Sequence, residues 1–88
     1  MTEQEGIQLT PGGEKKLGNL VNLKDYTIAD AIRERGGGQG QVNQLRSDYQ
    51  NLKVGELANL AAEGDADAET AIKILKQARK KREKYGNR

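Results

Sequence analysis

The side chains with the greatest chemical reach in this 88-residue sequence are its cations, and they crowd one end. Over residues 73–88, Lys73, Lys76, Arg79, Lys80, Lys81, Arg82, Lys84 and Arg88 stand against Glu83 alone, a net of +7. Residues 1–72 carry seven Lys and Arg against twelve Asp and Glu, a net of −5, so the formal total of +2 conceals an acidic body joined to a basic end. Cations this close together repel one another, at a cost of a few tenths of a kcal/mol per i,i+4 pair such as Lys76 with Lys80. A partner's negative charge relieves that repulsion.

Part of the asymmetry has a local explanation. Asp65, Asp67 and Glu69 in the first turns and cations in the last follow the preference of the helix dipole. That preference fades within one turn of the end, whereas the basic run from Lys73 to Lys84 covers about three.

Two partners suit such a run. A nucleic-acid backbone gains from phosphate neutralisation and counterion release. An acidic protein surface gains through the same Coulomb attraction but needs an apolar anchor, for which Tyr85 is the nearest aromatic residue. With three Tyr and no Phe or Trp there are too few rings for a base-stacking platform, so nucleic-acid binding is expected to be non-specific or shape-driven. The acidic body repels a duplex laid against it, which favours end-on contact by the basic segment.

Other chemistry is scarce. Without Cys or His the chain lacks thiolate chemistry, the commonest zinc ligand and the commonest general base. Ser47 therefore has no His to activate it, and no catalytic residue, metal site or cofactor is expected. Asp65-Ala66-Asp67-Ala68-Glu69 begins like a calcium loop, but Thr70 replaces the turn Gly and Lys76 replaces the final Glu, so Asp65 is read as a helix cap. Gly36-Gly37-Gly38-Gln39-Gly40 leads into a helix near Arg33, Arg35 and Arg46, as a phosphate cradle would, but it follows a helix where known cradles follow a strand. Gly37-Gly38-Gln39 resembles the tripeptide of peptide-release factors over a few residues only, without the strand-rich domain that presents it there.

These residues must be positioned by helices. Nine Ala with abundant Glu, Lys, Arg and Gln favour helix, and no alternating run argues for a strand. Residues 1–13 read as a flexible N-terminal arm ending in the turn Thr10-Pro11-Gly12-Gly13, and residues 14–88 as a single helical domain. Leu17, Leu20 and Val21 predict a helix from Glu14 to about Asn22, weakened by Gly18. Thr27 with Asp30 predicts an N-terminal cap for a helix closed by Gly36. Val42, Leu45, Tyr49 and Leu52 predict a further helix, Leu57 to Ala61 another after a break near Gly55, with Gly64 as its C-cap.

The last helix runs from Asp65 to about Tyr85. At about 100° per residue, Ala68, Ala71, Ile72, Leu75 and Ala78 share one sector with Ile74 at its edge, opposite the row Lys73, Lys76, Lys80 and Lys84. The apolar sector ends at Ala78, where Arg79 and Arg82 interrupt it. The expected fold is all-α: a small bundle of four or five short helices with a longer basic C-terminal helix. A spacing of 26 also places Ile28, Asp30, Gly38, Val42, Leu45 and Tyr49 opposite Val54, Glu56, Gly64, Ala68, Ala71 and Leu75, as two copies of a short helix, a Gly turn and a longer helix would.

Seventeen Ile, Leu and Val in 88 residues make a thin core, one that self-association or a partner would firm up. No apolar run reaches the roughly 18 residues that span a bilayer, and the polar, acidic start lacks the pattern of a signal peptide. No membrane partner is expected, and the expected address is cytoplasmic. The function expected is that of a small non-enzymatic binding protein, contacting nucleic-acid phosphates through the basic helix or, alternatively, docking it on an acidic protein as an adaptor or assembly factor.

Overall fold

A computed structural model describes residues 6–86, with side chains described as far as residue 78. The fold is all-helical: α1 (Pro11–Leu17), a 3-10 segment (Gly18–Leu23), α2 (Ile28–Glu34), α3 (Gln39–Asn43), a 3-10 turn (Ser47–Tyr49), α4 (Val54–Ala62) and α5 (Ala66–Gly86). Both α1 and α5 pack on α4, α2 packs on α5, and α3 attaches to α2.

The core is aliphatic and small. Leu17, Ile28, Ile32, Leu57 and Leu75 are its largest fully buried side chains, and six alanines, Ala31, Ala58, Ala61, Ala68, Ala71 and Ala78, fill the spaces where helices approach. No polar or charged residue is buried among those described. Each large aliphatic buried here contributes roughly 1.5–3 kcal/mol.

Helix ends follow their caps. Helix α1 begins at Pro11, three residues before the expected Glu14. The Thr10 hydroxyl accepts from the Gly13 N–H at 3.0 Å, and Pro in the first turn forfeits a donor that would have had no partner. Thr10-Pro11 thus starts a helix where a turn was expected. The helix stops at Gly18, and the chain continues as the 3-10 segment that buries Leu20 and Leu23.

Residues 7–10, which the sequence places in a flexible arm, are fastened to the body. The Ile7 N–H donates to Asp25 at 2.8 Å, Asn59 Nδ2 donates to the Gln8 carbonyl at 3.0 Å, and the Thr10 N–H donates to Asn59 Oδ1 at 2.9 Å. Gly55 admits this contact: a Cβ there would stand 2.6 Å from Ile7 Cγ2.

Thr27 caps α2 as expected, its hydroxyl accepting from the Asp30 N–H at 3.2 Å. The stripe Val42, Leu45, Tyr49 and Leu52 does not form one helix; α3 ends at Asn43. Gln50 Nε2 donates to the Val42 and Leu45 carbonyls at 3.2 and 3.4 Å, taking acceptors that continued helix would use. The stripe is nonetheless inward, with Val42 and Leu45 buried and Tyr49 and Leu52 packed against the core.

The 26-residue spacing has a structural counterpart in part. Thr27 and Lys53 form an isolated antiparallel bridge, in which the Ile28 N–H donates to Leu52 O and the Val54 N–H to Tyr26 O, both at 2.9 Å. The two helix starts thus face one another, and Ile28, Ala31 and Ile32 occupy the same fully buried places as Val54, Leu57 and Ala58. The likeness ends there. The glycines that close α2 and α4 in the left-handed region are Gly36 and Gly64, φ 101° and 102°, which are not 26 apart, and α3 has 5 residues where α5 has 21.

Candidate functional site

Helix α5 is set in place by its first turn. Asp65 Oδ1 accepts from the Ala68 N–H at 3.0 Å while Oδ2 accepts from the Tyr49 hydroxyl at 2.7 Å. These bonds, the Tyr49 one foremost, hold the Asp65 carboxyl below the usual range, and the same bond pushes the Tyr49 phenol up. Arg46 lies over the Tyr49 ring, 5.0 Å from its centroid, and reaches Asp67 at 2.9 Å, the bond that chiefly raises its own pKa. Lys16 of α1 meets Glu69 at 2.6 Å and lowers the pKa of that carboxyl. The acids that resemble a calcium loop are therefore occupied by a cap, a phenol and two cations. No group of His, Cys, Asp or Glu that could hold a metal ion occurs among the described residues.

Further along α5, Ala68, Ala71, Ile72, Ile74, Leu75 and Ala78 are buried, the face expected from the sequence. Arg35, the C-cap of α2, grips this stretch from the side, its Nε donating to the Leu75 carbonyl at 3.0 Å and Nη2 to that of Lys76 at 3.4 Å. Lys73 and Lys76 lie on the exposed face. Among the described residues, neither has a carboxylate within ion-pair distance. By contrast Lys16, Lys24, Arg33 and Arg46 of the body each have one within 3.4 Å. Among the described residues Lys15 and Lys53 also lack one, but they lie on different elements, whereas Lys73 and Lys76 stand i, i+3 on one helix.

The other expected contacts, Arg79, Lys80, Lys81, Arg82 and Lys84, and the anchor Tyr85, fall on the backbone of α5, which remains helical to Gly86. Their side chains lie outside the described residues. Eight helical residues follow Ala78, about 12 Å of rod at 1.5 Å per residue.

The three arginines near the Gly-rich segment do not converge on it. Arg33 binds Asp30 and Gln39, Arg35 binds α5, and Arg46 binds Asp48 and Asp67. The helix that follows has only 5 residues, too short to offer an anion site. The role of Arg35 left no trace in the sequence, since a grip on backbone carbonyls 40 residues away has no local pattern.

No helix among the described residues is long and apolar enough to cross a membrane. Comparison of the chain with protein-family models, curated proteins and solved structures finds no match.

Proposed function

We propose that this chain is a small non-enzymatic, cytoplasmic binding protein that contacts nucleic-acid phosphates through the basic helix α5, with Lys73, Lys76, Arg79, Lys80, Lys81, Arg82 and Lys84 as the contacting cations. One observation carries the reading. Where α5 crosses the body, its acids are matched by cations from other elements, but its own Lys73 and Lys76 are exposed and have no carboxylate within ion-pair distance among the described residues. The sequence then adds five more cations before Tyr85. Lysines present point charges on flexible stems, which suit a phosphate backbone better than a sequence-reading surface.

The test is fluorescence anisotropy with labelled duplex and single-stranded oligonucleotides of random sequence at 50 mM salt. Wild type should bind both, and Lys73→Glu with Lys76→Glu should weaken binding by about a hundredfold while leaving the circular dichroism spectrum unchanged. Absence of wild-type binding removes the reading. So does capture of a partner from the native host that nuclease treatment fails to release, which points instead to an acidic protein.

A further inference from the structure

The apolar face of α5 ends at Ala78, and the turn that closes α2 lies against it there. Leu75 and Ala78 are the last fully buried side chains described on the helix. Arg35 spans two successive carbonyls of this stretch, with Nε on Leu75 O at 3.0 Å and Nη2 on Lys76 O at 3.4 Å. Gly36 then turns the chain in the left-handed region, φ 101°, and the Gly37 N–H donates to the Ile32 carbonyl at 2.8 Å. Gly37 brings its backbone close to α5: a Cβ there would stand 2.6 Å from Ile32 Cγ2 and 3.0 Å from Ala78 Cβ, and both of those side chains are fully buried.

These contacts fall at a junction. In an α-helix the carbonyls of residues 75 and 76 accept from the N–H groups of residues 79 and 80, the first two donors beyond the apolar face. A carbonyl oxygen has two lone pairs, so Arg35 can hold both acceptors without taking them from the helix. Beyond the junction, residues 79–86 continue α5 with the sequence Arg-Lys-Lys-Arg-Glu-Lys-Tyr-Gly. Isolated helices shorter than about 12–15 residues are marginal in water, and Lys76 with Lys80 and Lys80 with Lys84 repel at i, i+4. The helicity of this end must therefore propagate from a turn that is already fixed.

We propose that Arg35 and Gly37 are positioning residues: the turn closing α2 is a collar on residues 75–78 of α5 that keeps the cations of residues 79–84 in helical order, in register with Lys73 and Lys76, for a nucleic-acid backbone to meet. This rests on the nucleic-acid reading above. With the collar in place, phosphates meet a row that is already ordered; without it, the end of α5 must lose backbone entropy on binding. The Gly-rich segment, whose sequence suggests a phosphate cradle, thus serves phosphate contact at one remove, by letting backbone approach α5.

The experiment compares wild type with Arg35→Gln, which removes the grip, and Gly37→Ala, which forces the turn away from Ile32 and Ala78 without changing charge. Three quantities are measured on the full chain: 13Cα shifts of residues 79–86, amide exchange of Leu57 and Ala58 in α4, and anisotropy with a random-sequence duplex at 50 mM salt. Both variants should move the shifts toward coil values, leave exchange in α4 as in wild type, and weaken duplex binding about tenfold, the equivalent of ordering one more residue. Should one variant fail to fold, the other decides. Unchanged shifts, or shifts that move with no loss of affinity, overturn the collar and leave the α5 reading standing. Weakened binding by Arg35→Gln alone also overturns it, because lost charge then suffices. Exchange in α4 that accelerates in step with the shifts overturns it as well, in favour of a general loss of stability. Absence of wild-type binding defeats the α5 reading itself, and the positioning role with it.

Discussion

The first turns of α5 are acidic and its middle is basic, and the two treat charge in opposite ways. In the first turns each acid has a partner from a distant element: Asp65 from Tyr49, Asp67 from Arg46 and Glu69 from Lys16. Further along, Lys73 and Lys76 have no carboxylate within ion-pair distance among the described residues, although Lys73 lies near enough to Glu69 to help lower its pKa. Charge at the start of α5 fastens the helix to the body. Charge in its middle is left to solvent, and the interior beneath it is purely apolar.

That division can be broken from either side. The largest effect comes from the interior: Leu75→Ala should cost about 2–5 kcal/mol, because the cavity adds to the lost transfer energy. A chain of this length has roughly 4–13 kcal/mol in total, so the variant should melt far below wild type by circular dichroism and lose binding with its fold. Reversing Lys73 and Lys76 to Glu should reduce oligonucleotide affinity by about a hundredfold, roughly 2.7 kcal/mol, with the melting temperature almost unchanged. Equal damage to stability would show that those lysines belong to the fastening instead.

The start of α5 predicts a pH dependence. Asp65, Glu69 and Asp25 have their carboxyl pKa values lowered, by the Tyr49 hydroxyl, by Lys16 and by the Ile7 N–H respectively. A group whose folded pKa is depressed stabilises fully above its unfolded value, near pH 4, and that contribution is lost as pH falls through the lower folded value. Chemical denaturation should therefore show stability declining below about pH 4, and Tyr49→Phe should flatten the decline. An unchanged slope would remove the Tyr49–Asp65 bond from the account. The smallest effect belongs to the N-terminal segment. Asn59→Ala removes three hydrogen bonds to residues 8 and 10, should cost about 1–3 kcal/mol, and should speed hydrogen exchange at the Thr10 amide without altering oligonucleotide binding.

The sequence made legible whatever depends on neighbours within a few positions. The buried face of α5, the caps at Thr27 and Asp65 and the close at Gly64 all follow from i, i+3 and i+4 relations. Longer relations were not visible. Gln50 interrupting the Val42–Leu52 stripe, Asn59 holding residues 8 and 10, and Arg35 gripping α5 are each a polar side chain meeting backbone from another element, for which spacing gives no sign. The start of α1 was misplaced because Thr-Pro-Gly-Gly satisfies the rules for a turn and for a capped helix alike, and only packing on α4 selects the helix. Of the candidate site, the lysine face was read from charge order along the chain, whereas the Arg35 grip beside it required the end of α2 and the middle of α5 to be brought together.

The most direct test of the whole account is the salt dependence of duplex oligonucleotide binding. If α5 presents free cations to phosphates, about four contacts give a log–log slope near −3.6, and affinity should fall roughly a hundredfold between 50 and 200 mM salt. A slope near zero, with binding retained at 200 mM, would contradict it.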